Sequence, residues 1–155
     1  MEKECTQCDT VFTLLEEKIM LDTVETEIDT YLAANWAYTP IHKFVNDPGK
    51  VSGFNAWISW KFDNIDTKYI GVGSPCKEMS MFLMVSIFTA SAEGTTESRD
   101  LVSKLMPLLM DVKLPNEIEF WDVIGPIEGD GFDHKSNGKW FETQLGVLIT
   151  HRFTL

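Results

Sequence analysis

Residues 79–90, MSMFLMVSIFTA, decide the fold because they read as a strand that is apolar on both faces. One face would carry Met79, Met81, Leu83, Val85 and Ile87, and the other Phe82, Met84 and Phe88. Side chains alternate between the two faces of a strand, so a strand of this composition is shielded from water on both sides. We therefore expect a central strand, covered by helices of the same chain or by a neighbouring subunit.

A helical pattern and two more strands follow this central strand. Residues 96–110 form an amphipathic pattern that Pro107 interrupts, which predicts a kink or a stop there. Its apolar stripe consists of Leu101, Leu105, Leu108, Leu109 and Val112. Residues 117–127 and 139–154 read as strands, and the loop at 128–138 that joins them is long enough to project.

The N-terminal region reads as a helix, because residues 1–39 contain neither glycine nor proline. Its apolar residues recur three to five positions apart, the spacing of one helical face. They are Val11, Phe12, Leu15, Ile19, Val24, Ile28 and Leu32. We expect a break near residues 22–23 and an end before Pro40, since the residue before a proline is pushed out of the helical region.

Residues 54–63, FNAWISWKFD, alternate apolar and polar residues as a half-buried strand does. Trp57 is the one large apolar residue out of phase, so it is either an interface anchor or partly covered by the N-terminal helix. Together these elements predict an α+β fold. Its mixed or antiparallel sheet would have about four to five strands, flanked by the N-terminal helix and a second amphipathic helix. At 155 residues the chain is expected to form a single domain, residues 1–155.

Composition excludes several classes of protein. No apolar run approaches the ~18–20 residues of a membrane span, and the N-terminus MEKECTQCDT lacks the pattern of a secretory signal. We therefore expect synthesis in the cytoplasm and no membrane association. The formal net charge of −11 opposes tight binding to a phosphate backbone, so specific nucleic-acid binding is not expected.

The cysteines do not indicate a cofactor or metal site. Cys5 and Cys8 form a C-x-x-C pair, which suits a redox motif or half of a zinc site. No strand precedes the pair, and Cys76 with three scattered histidines does not complete a set of four zinc ligands. We favour free thiols in a reducing compartment, and we expect neither a cofactor nor a metal.

No catalytic arrangement is visible, so we expect a protein that is not an enzyme and has no catalytic residues. Acidic residues and glycines gather in the loop at 128–138, but the spacing of a calcium-binding loop is absent. His151 falls on the apolar face of the last strand, where core histidines are common. Methionines and tryptophans are numerous for one core, and tryptophan is enriched in protein–protein contacts.

Several local strings resemble the tail terminator proteins of long-tailed bacteriophages, the lambda-type family. They are NWAYTPIHKFVN at 35–46, FTASAEGTTES at 88–98 and GKWFETQLGVLITHRF at 138–153. The order of elements is similar too. The resemblance implies a structural virion protein that forms a ring, usually a hexamer, which caps the tail tube and stops its growth.

The same resemblance implies the partners and the location. The ring would contact the tail tube protein and the head-completion protein at the head-proximal end of the tail, and DNA would pass through its lumen without specific binding. On this basis we expect contacts at Trp57 and in the projecting loop, at Asp130, Phe132, Asp133 and His134. Two alternatives stay open: another neck or head-closure protein, and a small α+β ligand-binding or enzymatic domain.

Overall fold

The computed structural model describes residues 14–42, 53–70, 76–90, 95–128 and 140–154. The helices are α1 (Leu14–Asn35) and α2 (Thr96–Leu109). The strands are β1 (Ala56–Tyr69), β2 (Cys76–Ala90), β3 (Lys113–Leu114), β4 (Ile118–Glu128) and β5 (Trp140–Thr154). The N-terminal helix is continuous, without the break expected near residues 22–23.

The five strands form one antiparallel sheet in the order β1-β2-β5-β4-β3. A single parallel bridge, between Ile41 and Ile58, adds the segment before β1 to its margin. The two helices and this sheet confirm the predicted α+β class. β2 lies inside the sheet, as its apolar sequence predicted, because β1 and β5 flank it on either side.

Both helices contribute to one hydrophobic core on a single face of the sheet, which we call the core face. The buried positions of α1 recur every four residues, at Val24, Ile28 and Leu32, and Trp36, the first residue after the helix, continues the series. Those of α2 are Leu101, Val102, Leu105 and Leu109. They join alternate residues of β2 and β5, namely Met79, Met81, Leu83, Val85, Ile87, Leu145, Val147 and Ile149. Apolar residues that recur with the helical period of 3.6 thus pack against apolar residues that recur with the strand period of 2, in one layer.

Tyr31 connects the two helices to each other and to the sheet. Its hydroxyl donates a hydrogen bond of 2.8 Å to the carbonyl oxygen of Leu108. Its ring lies edge-on to Phe120 of β4, with 6.0 Å between centroids. Partial burial raises the pKa of its hydroxyl, which keeps the donor proton in place over the ordinary pH range.

Pro107 lies inside α2 without stopping it, so the expected stop is wrong by one turn. The helix continues to Leu109, and Met110 is extended. Proline removes one backbone donor, but Leu105 and Leu109 on either side of it are fully buried. Their burial holds the last turn in helical form despite the lost hydrogen bond.

Cys76, the first residue of β2, is disulfide-bonded. For Cys76 this corrects the expectation of a free thiol. Cys5 and Cys8 lie outside the described residues. Neither described helix has the length and hydropathy needed to cross a bilayer.

The two faces of β5 provide a matched test of where the core lies. Leu145 on the core face is fully buried, whereas Leu148 on the other face is half-buried. Leu145→Ala should lower the free energy of unfolding by about 2–5 kcal/mol, because it removes packed side-chain volume. Leu148→Ala should cost clearly less. Urea denaturation of both variants measures the difference, and equal losses would contradict the assignment of the main core to the core face.

Candidate interaction surface

The face of the sheet opposite the helices, which we call the outer face, is only partly covered. On β2 its residues alternate with the core residues, and Phe82 and Met84 are half-buried. Cross-strand register places Phe82 opposite Leu148 and Met84 opposite Gly146 on β5. The central strand is therefore fully buried on one face and half-buried on the other, which differs from the complete two-sided cover that its sequence predicted.

Strand β4 carries three exposed apolar residues on this outer face. Trp121 is 44% exposed, Ile124 53% and Ile127 56%. Ile124 pairs with Gly146 and Ile127 with Gln144, both on the outer face of β5. The indole N–H of Trp121 donates a hydrogen bond of 2.8 Å to the hydroxyl of Thr150, again on that face. Three large apolar side chains thus stand in a row along one margin of the sheet.

Two irregularities of β4 create this row. Residues three apart on a regular strand point to opposite faces, so Trp121, Ile124 and Ile127 would alternate. The register with β5 shifts once between Phe120 and Val123 and again between Ile124 and Ile127. Each shift inserts one extra residue and resets the phase, which is how a bulge redirects side chains. The second contains Gly125, at a φ of 108° that favours glycine, followed by a cis bond to Pro126.

The row of β4 continues across β5 onto β2 and forms one apolar area, which we call the outer patch. Its members are Phe82, Met84, Trp121, Ile124, Ile127 and Leu148. Gly146 lies at its centre, and a Cβ there would be 3.2 Å from the sulfur of Met84. The absence of a side chain at Gly146 lets Met84 lie flat over β5, so the patch is continuous from strand to strand.

Trp57 lies at the other end of the outer face, in a separate aromatic cluster. Its ring stacks on Phe88 at 4.0 Å and meets Trp140 edge-on at 6.1 Å. His42 lies edge-on to it at 5.5 Å. Trp57 is only 4% exposed, so packing inside the chain explains its out-of-phase position. The interface role predicted for Trp57 is corrected accordingly: the side chain is not accessible, and α1 is not what covers it.

The remaining predicted contact residues, Asp130, Phe132, Asp133 and His134, lie outside the described residues. The loop is described only at its first residue, Glu128. There Arg99 of α2 donates two hydrogen bonds to the carboxylate, at 2.8 and 3.3 Å. This guanidinium lowers the pKa of Glu128 and ties the start of the loop to the helix layer.

Several charged side chains of the outer face are paired within the chain. Glu142 is 8% exposed, and its Oε1 accepts hydrogen bonds from Ser86 at 2.7 Å and Gln144 at 2.8 Å. At the opposite end Glu78 lies 3.0 Å from Arg152 and 3.5 Å from Lys68. Among the described residues, no three histidine, cysteine or acidic side chains are grouped to hold a metal.

The outer patch was not predicted as a unit, although its residues carried a signal. In EIEFWDVIGPI, residues 117–127, apolar side chains occur at both odd and even positions. A regular half-buried strand would not do this, and the Gly-Pro pair near its end is a common sign of irregularity. Trp121 is one of the five tryptophans of the chain, and its neighbours in sequence do not mark it as the accessible one.

No family model matches the chain, and no curated protein sequence matches it either.

Two tryptophans on the same face give a matched test of these assignments. Trp57→Ala should lower the free energy of unfolding by about 3–5 kcal/mol, since it empties a packed site. Trp121→Ala should cost much less, because nearly half of that ring is already in water. Thermal and urea denaturation measure both. A Trp57→Ala variant as stable as Trp121→Ala would show that Trp57 is not part of a core.

The burial of His151 can be tested through the pH dependence of the free energy of unfolding. It is 5% exposed, and burial lowers its pKa below the usual 6.5, opposed by a backbone hydrogen bond at Asn116 and the charge of Glu117. A base with a lowered pKa in the folded state binds its proton more readily when unfolded. Stability should therefore fall as pH drops below 6.5 towards the folded-state pKa.

Urea midpoints of the wild type and His151→Gln, measured from pH 8 to pH 5, would detect this effect. The variant should lose part of the decline on the acidic side, while His42 and His134 remain in both proteins as a shared background. An unchanged decline would assign the pH dependence to other groups.

Proposed function

We propose that this chain is a structural virion protein that forms a ring on the end of a phage tail tube. The ring would stop tube polymerisation and provide the surface on which the head is joined. The observation that supports the proposal best is the outer patch. Two bulges align exposed apolar residues in a row on a sheet margin, and contiguous apolar patches at a protein surface are typical of protein contacts.

The proposed assembly contains three kinds of contact. Copies of the chain would contact each other around a ring, proposed to be a hexamer. One side of the ring would meet the tail tube protein, and the other the head-completion or neck protein. This places the protein in the virion, at the head-proximal end of the tail, after synthesis in the host cytoplasm. No cofactor or catalytic step is required for such a role.

The charge of the chain fits a passage for DNA. The net charge is −11, and α1 contributes Asp22, Glu25, Glu27 and Asp29 without a lysine or arginine between residues 19 and 35. Negative surfaces repel phosphate groups and give no counterion release to drive binding. In the proposed ring, DNA would pass through the lumen without a specific contact.

A genetic experiment tests the proposal directly. Particles that lack this protein should carry tails of abnormal length that do not join heads, as seen by electron microscopy. Supplying the wild-type chain in trans should restore tail length and joining. Normal-length tails already joined to heads in its absence would reject the assignment. Tails of normal length that fail to join heads would indicate a head-closure protein instead.

A further inference from the structure

We propose that the outer patch binds a second copy of this chain, with the β4 margin of one copy against the β1 margin of the next. The inference rests on the proposed function, which gives the reason that copies associate. It adds which two surfaces meet. The two margins lie at opposite sides of the sheet; in the described part of the chain the two-residue β3 lies beyond β4, and the segment bridged at Ile41 lies beyond the start of β1. A contact between two different surfaces of identical subunits repeats head to tail.

The β4 margin is built for contact. Trp121, Ile124 and Ile127 reach the same face only because of the two register shifts of β4. All three remain between 44% and 56% exposed. Bulges change the direction of side chains and are frequent at sheet edges and next to functional sites. Leaving these apolar side chains in water is unfavourable, and a partner that covers them would remove that cost.

The β1 margin offers a matching surface. Its register with β2 shifts once between Asp63 and Asp66, and Ile65 in this irregular stretch is 44% exposed. Within the described residues, Ile65 is the large exposed hydrophobic residue of that margin. An apolar side chain is thus presented at each side of the same sheet, which is what a repeating contact between copies requires.

The distribution of charge favours contact between the sheet margins of two copies over contact between their α1 helices. Two copies approaching through α1 would bring acidic surfaces together, because that helix carries no basic residue after Lys18. On β4, Glu119 and Glu128 are already paired with Lys113 and Arg99, which leaves Asp122 exposed. Lys61 is exposed on β1.

Neither Lys61 nor Asp122 makes an ion pair with the part of the chain that the structure describes. Opposite charges at the two margins would attract when β4 of one copy approaches β1 of the next. Asp63 and Asp66 are also exposed on β1, so the attraction is local to Lys61.

Sedimentation of the full-length chain over a range of concentrations tests the contact. The wild type should form species larger than a dimer. Ile124→Asp should raise the dissociation constant by about tenfold or more, as loss of a central apolar contact does. Met110→Asp is the control: Met110 is 50% exposed at the end of α2, outside both margins, and the same charge there should leave assembly unchanged.

A charge exchange tests the pairing itself and does not depend on how Ile124→Asp folds. Lys61→Glu and Asp122→Lys should each weaken assembly, and the double variant should recover most of it, since the pair is re-formed with its signs reversed. Both residues are exposed, so circular dichroism should show wild-type folding in all three variants.

Three results would overturn the inference. They are a wild type that stays monomeric at every concentration, an assembly that ends at a dimer, and a double variant that is weaker than both single ones. A dimer would mean that the two patches pair with each other instead of head to tail. None of these results bears on tail length in particles that lack the protein, so the contact and the proposed function fail separately.

Discussion

The pairing of β2 with β5 is the interaction on which the rest of the structure depends. It runs from Cys76 opposite Thr154 to Ala90 opposite Trp140 without a register shift. This regular pair assigns every residue of both strands to one of two faces. Because a slip by one residue would exchange those faces, it also decides which side the helices cover. Met81 opposite Ile149 and Leu83 opposite Val147 form the floor of the core.

The irregularities of the sheet lie on either side of this regular pair. β1 has one register shift and β4 has two, whereas the inner strands have none with each other. Regular inner strands are needed because both of their neighbours are hydrogen-bonded and their core faces are closely packed. Marginal strands have fewer such restraints, so they can bend and redirect side chains. The large hydrophobic residues that the sheet exposes, Ile65, Trp121, Ile124 and Ile127, lie on these marginal strands.

The outer face combines two different environments. At one end Trp57, Phe88 and Trp140 form a closed aromatic cluster, which gives the face its own small core. Towards β4 the apolar residues are half-buried or exposed, and the buried carboxylate of Glu142 separates the two areas with its hydrogen bonds to Ser86 and Gln144. One area contributes stability within the chain, and the other remains available to a partner.

Sequence by itself determined the two helices and the longer strands in their order, because the apolar spacing of α1 and α2, the alternation in β1 and β5 and the two-sided apolar run of β2 are local properties. It also indicated that β2 is central. Only the tertiary structure decided which tryptophan is accessible. Trp57 looked like a surface anchor but is enclosed by Phe88 and Trp140, which are distant in sequence, while Trp121 looked ordinary and is exposed. The register of β4 on β5 decided the exposure of Trp121. Bulges depend on pairing between strands, and no periodicity within one strand specifies them.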